Sequence, residues 1–251
     1  ADTLMGQALD LCRRTGGALD LSIYPVVRAW GFTTGDYQVP SDDDLATLTA
    51  LVDYTRIDYD PASGAVSLPE GMEIDLGSVA KGYAGREAAQ LLRQAGVSSA
   101  LLNLGGNIQT VGSRPDGDPW QIGVKDPSTG QPMMVLSIRD QAVVTSGGYE
   151  RYFQQDGRTY WHIMDPATGR PAESGLRSVT IVGDDGLVCD GLSTALFVMG
   201  LERAAQFWAG SDDFEAIFVT DDGSVYLTQG LTDRFALTQD HADTPVQVIQ
   251  R

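Results

Sequence analysis

Glu73-Ile-Asp-Leu-Gly-Ser-Val-Ala-Lys-Gly-Tyr-Ala-Gly85 carries a strand, a glycine turn and a helix start in a few residues. Met72, Ile74 and Leu76 alternate with Glu73 and Asp75, the period of a half-buried strand. Gly77 and Ser78 break that alternation, and Ser78 is competent to cap the helix that follows. Ala80, Ala84, Ala88, Leu91, Leu92 and Ala95 then recur at helical spacing as far as Gly96, a residue suited to a C-terminal stop. A glycine turn that opens a helix offers unpaired N–H groups to an anion. Lys81 adds a positive charge in the first turn, and Asp75 stands beside the same mouth. An ordinary strand-to-helix connection with a surface lysine reads the same way, so the rest of the chain has to decide.

The 251 residues are long enough for one large domain or two small ones, with ample length for a core. Lys+Arg 17 against Asp+Glu 34 gives a net charge of −17, which argues against nucleic acid or an anionic membrane as partner. A phosphate-bearing ligand would need local compensation, from helix N-termini or a divalent cation. No apolar run approaches the ~18 residues of a membrane-spanning helix. Ala1-Asp2-Thr3-Leu4-Met5 shows neither a basic nor an apolar leader region, as expected of a processed or truncated chain. Cys12 and Cys189 have no metal-binding spacing and leave the redox compartment open.

Toward the N-terminus, residues 3–15 fit an amphipathic helix through Leu4, Ala8, Leu11 and Cys12, ended by Thr15-Gly16-Gly17. Ser41 precedes the acidic turn Asp42-Asp43-Asp44, and Leu45, Leu48, Leu51 and Val52 form the stripe of a short helix. Strand and turn signals fill Arg56 to Leu68, with Asp60-Pro-Ala-Ser-Gly64 as a hairpin connection.

Toward the C-terminus, Ala100 to Val111 is two strand-like runs around Gly105-Gly106, and Trp120 to Val124 is another strand. Asp126-Pro-Ser-Thr-Gly-Gln-Pro132 and Asp165-Pro-Ala-Thr-Gly-Arg-Pro171 are near-copies, reading as repeated hairpin chemistry with a hint of a duplicated subdomain. Val143-Val-Thr-Ser-Gly-Gly-Tyr149 is a buried strand running into a turn with the composition of an anion nest. Tyr160 to Asp165 puts His162 on a strand, where a lone histidine is usually structural. Ala216–Thr220 and Val225–Thr228 are strands joined by Asp221-Asp-Gly223, and the tail from Asp240 is expected to be poorly ordered. Few helices and mostly hairpin-linked strands predict an α+β fold.

Cys189 to Met199 is the second informative stretch. Leu192, Ala195, Leu196 and Met199 share one helical face, while Asp190 and Thr194, at i and i+4, share the other. A carboxylate and a hydroxyl converging at a helix start suit Mg²⁺ that keeps its other positions for water and phosphate. The plainer reading makes Asp190 an N-cap and Thr194 a solvated helix residue.

Six segments in order resemble the ApbE family of FAD:protein FMN transferases, from about residue 15 to about residue 205. They are Gly17-Ala-Leu-Asp20 with Pro25 and Trp30-Gly-Phe32; Asp75-Leu-Gly-Ser-Val-Ala-Lys-Gly-Tyr83; Leu104-Gly-Gly-Asn107; Thr145-Ser-Gly-Gly-Tyr149; His162-Ile-Met-Asp-Pro-Ala-Thr-Gly-Arg-Pro171; and Asp190-Gly-Leu-Ser-Thr194. The resemblance implies a single domain over 1–251 with a T-fold-like α+β architecture, internal duplication, and antiparallel sheets packed with helices. It implies FAD and Mg²⁺ in a cleft, cleavage of the FAD pyrophosphate, release of AMP, and attachment of FMN to a Ser or Thr of an acceptor flavoprotein subunit. Ala18, Leu19, Asp20, Asp75, Lys81, Gly105, Gly106, Ser146 and Met164 are the flavin-contacting candidates it implies. Ser78, Asp190 and Thr194 are its metal ligands, with Ser193 where some relatives carry a second Asp. Lys81 and His162 are the catalytic candidates, His162 or a neighbouring carboxylate accepting the hydroxyl proton.

Family members usually begin with a further stretch holding a Met-Gly-Thr-like motif. Met5-Gly6-Gln7 lies too close to Gly17 to be that motif, so this segment is expected to be missing here. The resemblance also implies an extracytoplasmic or periplasmic location, with membrane contact only through a lipid anchor outside this chain. FAD pyrophosphatase activity, with water in place of the protein hydroxyl, uses the same residues, and a flavin-binding protein without turnover is a third reading.

Overall fold

The computed structural model describes residues 4–251. Its centre is a seven-stranded sheet built from β3 (Ser99–Leu104), β4 (Asn107–Gly112), β7 (Ala142–Gly147), β12 (Leu176–Gly183), β13 (Phe214–Thr220), β14 (Val225–Thr228) and β16 (Val246–Ile249). Their order across the sheet is β16-β14-β13-β12-β7-β4-β3. All neighbours pair antiparallel except β14 with β16. The α+β expectation holds.

Both faces of this sheet are covered, and the side chains divide with period two. Val144, Val179, Ile181, Ala216 and Phe218 face a core shared with α1 (Leu4–Arg14) and α5 (Gly186–Ala209). Val143, Val182, Ile217 and Val219 face the three-stranded sheet β15-β6-β5 (Phe235–Leu237, Pro132–Ile138, Trp120–Lys125). Burial on two sides is why these strands read as unbroken apolar runs. A third core forms around α2 (Tyr24–Ala29) and α3 (Asp42–Thr49), with Trp30, Phe32 and Phe153 buried together. Gly31 is obligatory there. Its φ is +84°, and a Cβ would lie 2.1 Å from the Asp36 carbonyl oxygen.

The opening stretch folds differently from its reading in three respects. Met72 to Leu76 forms no strand and joins no ladder among the described residues. Asp75 N–H donates instead to Leu21 O at 2.8 Å, and Met72 is buried in the main core. The helix, α4 (Ala80–Gln94), has Val79 rather than Ser78 at its N-cap, with no side-chain cap bond. Its buried face is Gly82, Gly85 and Ala89, whereas Ala84 and Ala95 are exposed and Leu91 is 65% exposed. Small residues face inward because α4 crosses α5 backbone against backbone. A Cβ on Gly82 would lie 2.0 Å from Gly186 O.

Helix α5 is likewise buried on nearly all sides up to Met199, and its backbone breaks from helical geometry at Gly200 (φ +75°). Asp185, not Asp190, is its N-cap, accepting from the N–H groups of Leu187 and Val188. The tail is also ordered. Beyond Asp240, β16 pairs with β14 as a sheet edge, and its outward exposure explains the missing periodicity. The D-P repeats are one turn design. In each, the aspartate Oδ1 accepts from the N–H two residues on, and its carbonyl accepts from the glycine N–H at 2.8 Å. Asp60–Gly64 uses the same bonds between β1 (Asp58–Asp60) and β2 (Ala65–Ser67).

Candidate active site

The start of α4, the N-terminal part of α5, the β3–β4 turn, the end of β7 and the segment 162–164 surround one cleft of about 730 Å³. Ala18, Leu19, Asp20, Asp75, Ser78, Lys81, Gly105, Gly106, Ser146, His162, Met164, Asp190 and Thr194 all line it. The flavin-contacting, metal-binding and catalytic candidates named from the sequence therefore all reach the same space. The volume lies within the range of small-molecule sites, ~300–1,000 Å³.

The mouth of α4 does not present the unpaired N–H groups expected of a glycine turn opening a helix. Val79 and Ala80 donate to Leu76 O, and Gly82 N–H donates to Asp190 Oδ2 at 2.8 Å. The carboxylate of α5 thus caps α4 across the crossing, leaving the exposed Lys81 ammonium as the anion-attracting group at this end. Asp190 is only 5% exposed, and burial pushes its carboxyl up to about 6. The Gly82 N–H, the Lys81 charge and the Asn107 amide pull it back down.

Asp20 is saturated internally. Oδ1 accepts from Ser22 N–H and Ser22 Oγ–H, and Oδ2 from Tyr54 N–H at 3.0 Å. It fixes the short 3₁₀ turn Leu21–Ile23 in the cleft wall. Asp75 spends one oxygen on Gly77 N–H at 2.7 Å. Gly105 and Gly106 are the two central residues of a hairpin turn, both with positive φ, and nothing lies within 4 Å of where a Cβ would be.

Hydroxyls form a directed chain beside Asp190. Ser193 Oγ donates to Asp190 O at 2.7 Å, so the 2.7 Å contact between Ser146 Oγ and Ser193 Oγ carries the Ser146 proton. The 3.3 Å contact to Ser146 then takes the Thr194 proton, which leaves the Thr194 oxygen lone pairs free.

His162 occupies a bend between β9 (Arg158–Trp161) and β10 (Met164–Asp165), not a strand. Its Nδ1 lies 3.2 Å from Arg151 O, an acceptor, so Nδ1 carries the proton and Nε2 keeps its lone pair. Burial and the charges of Arg151 and Lys81 bring the ring down to about 4, against the Arg151 carbonyl bond and Asp75. The imidazole is neutral at ordinary pH.

The ApbE family model matches residues 2–218. This chain belongs to the ApbE family. It is 38% identical to the FAD:protein FMN transferase of Klebsiella pneumoniae (strain 342) over 222 residues, 87% of this chain and 68% of that protein. It is 35% identical to the protein of the same name from Treponema pallidum, covering 92% and 68%. The crystal structure of the Thermotoga maritima ApbE protein superposes with TM-score 0.85 at 33% identity, covering 90% of this chain and 75% of that one.

The ApbE resemblance implies Mg²⁺, and the donor set here is compatible with it. Asp190 is a buried carboxylate that forms no ion pair within contact distance among the described residues, and Thr194 offers free lone pairs at the i+4 position. Among the described residues no cluster of three His, Cys, Asp or Glu could hold a metal. Mg²⁺ does not require one, since it typically takes one or two carboxylates, substrate phosphates and water.

The sequence reading missed Asn107, Lys125, Glu150 and Arg151, which also line the cleft. Asn107 and Tyr149 stood inside quoted motifs, but the β5 residue Lys125 left no local signal. It arrives because the three-stranded sheet packs under β7 and β4.

Proposed function

We propose that this chain cleaves FAD at its pyrophosphate and transfers the FMN moiety to a Ser or Thr hydroxyl of an acceptor protein, releasing AMP. The observation that carries this reading is the convergence of Lys81, the buried Asp190 and the neutral His162 on one cleft. The names of the relatives specify flavin transfer.

The acceptor oxygen attacks the FMN-side phosphorus, a new P–O bond forms, and the bond to the AMP phosphate breaks with its electron pair leaving on AMP. His162 Nε2 takes the hydroxyl proton, its ring held by Nδ1–H on Arg151 O. Lys81 attracts the pyrophosphate at the cleft edge and offsets charge as it develops. Asp190 and Thr194, with Ser78, would hold Mg²⁺, which neutralises pyrophosphate charge when bound.

Incubation with FAD and Mg²⁺ tests this directly. AMP release together with flavin fixed to an added hydroxyl-bearing acceptor is the expected outcome, and EDTA should weaken FAD binding. Retention of intact FAD would refute the reading. His162→Asn should slow transfer ~10²–10⁴-fold. At Mg²⁺ high enough to keep Asp190 ionised, the parent rate should be level from about pH 6 to 8 and fall only toward pH 4, because His162 is protonated only there. A profile falling near pH 6.5 would remove His162 as the acceptor of the proton.

A further inference from the structure

Beside the flavin cleft runs a second, open groove of about 390 Å³, which shares Tyr149 with it. One wall is a face of the hairpin β8–β9, β8 being Tyr152–Gln155. Tyr152 pairs with Trp161, and Gln154 with Thr159, so these four side chains stand on the groove side. The alternate pair, Phe153 with Tyr160, turns the other way, into the aromatic cluster with Trp30. Leu176, Arg177, Phe197 and Asp221 line the groove elsewhere.

We infer that this groove receives the acceptor protein as an extended, hydroxyl-bearing segment. The inference rests on the transferase reading above. Its main support is chain continuity. Tyr149, Glu150 and Arg151 lead from the flavin cleft into β8, and β9 leads straight back to His162. A segment lying along the hairpin is thereby directed at the histidine that takes the hydroxyl proton. The four residues of β9 span ~13 Å at ~3.3 Å per residue, enough for about four residues of extended peptide. Among the described residues the buried Trp161 indole N–H has no hydrogen-bond partner, a donor the fold itself leaves unused beside the groove.

The chemistry of the groove is graded. Its aromatic end, Tyr152 and Trp161, is next to His162, and its polar end, Gln154 and Thr159, is toward the hairpin tip. One cation and one anion, Arg177 and Asp221, leave it near neutral on a strongly acidic protein. This suits a peptide with an apolar side chain adjoining the reactive hydroxyl and polar residues beyond it. A nucleotide would instead select for phosphate-binding charge.

The test uses the whole chain with FAD, Mg²⁺ and a random twelve-residue peptide library bearing one fixed central Thr. Flavin-labelled peptides are read by mass spectrometry and AMP is measured in the same tube. The groove variant is Gln154→Arg with Thr159→Arg. The control is Gln155→Arg, on the same hairpin but off the groove. The expected result is labelled peptides enriched in an apolar neighbour of the Thr, and at least a tenfold loss of peptide kcat/KM in the groove variant alone. FAD affinity and Tm should match the parent in both variants. AMP release without any labelled peptide, or equal labelling by groove variant and parent, overturns the groove while leaving the flavin chemistry standing. A groove variant that loses FAD affinity or Tm in step with labelling also overturns it. Absence of AMP release from the parent overturns the transferase reading itself, and this inference with it.

Discussion

Two glycine pairs border the candidate site for opposite reasons. Gly82 and Gly186 let two helices touch: a Cβ on Gly82 would lie 2.0 Å from Gly186 O and 2.7 Å from Asp190 Cβ. Gly105 and Gly106 instead make a turn at φ +63° and +93°, with open space beside them. The first pair is a packing device that sets where Asp190 sits. The second is a conformational device that leaves a wall of the cleft bare. A side chain added to each should therefore fail differently, the first in folding and the second in binding.

The largest effect is expected at the crossing. Gly82→Ala puts a methyl group against backbone, which cannot swing aside, so the helices must part. Urea unfolding should show a loss of ~3 kcal/mol or more, the upper range of overpacking. Separation would also move Asp190 off Gly82 N–H, so activity should vanish with stability. A variant within ~1 kcal/mol of the parent would break the comparison.

Asp190→Asn sharpens it by keeping the crossing and removing the charge. Asn Oδ1 can still accept from Gly82 N–H. A carboxyl raised from 3.8 to about 6 in the folded state is destabilising once ionised. Below about pH 4 it costs nothing; stability then falls as pH rises through about 6, by ~3 kcal/mol at most. The Asn variant lacks that loss, so at pH 7 in EDTA it should be as stable as the parent or more so. Its Mg²⁺-dependent AMP release should fall ~100-fold or more. Full activity at the parent's Mg²⁺ requirement would make Asp190 a helix cap and nothing further.

The crossing also marks the limit of sequence reading. Hairpin turns, the Ser41 cap and the C-terminal end of α1 were legible because each is decided by neighbours in the chain. The site candidates were legible through the family motifs. What failed was long-range. Nothing near Gly82 says that a carboxylate more than a hundred positions away caps its helix, or that glycine rather than leucine faces inward. Likewise β16 became a strand through pairing with β14, not through its own pattern. His162 falls in the bend after β9, where its ring meets the Arg151 carbonyl from across the hairpin.

Lys81 stands beside Gly82 yet belongs with the open wall, since its side chain is exposed. Lys81→Ala should leave Tm unchanged and reduce turnover ~10- to 100-fold through weakened charge stabilisation. A loss of stability comparable to a core truncation would transfer Lys81 to the packing side of the comparison.

Gly105→Ala should have the smallest effect on folding and the most specific effect on binding. At φ +63° an alanine sits in the left-handed region, at ~1 kcal/mol, and its methyl group meets no atom of the protein. The turn pairs Leu104 with Asn107, so β3 and β4 can keep their register. The methyl group projects where the cleft is otherwise open. Flavin fluorescence titration should then show FAD affinity reduced several-fold while the Tm shifts by only a few degrees. If affinity is unchanged, Gly105 serves the turn alone and the bare wall lies away from the flavin. If instead the protein unfolds as Gly82→Ala does, the two glycine pairs are not the different devices their surroundings indicate.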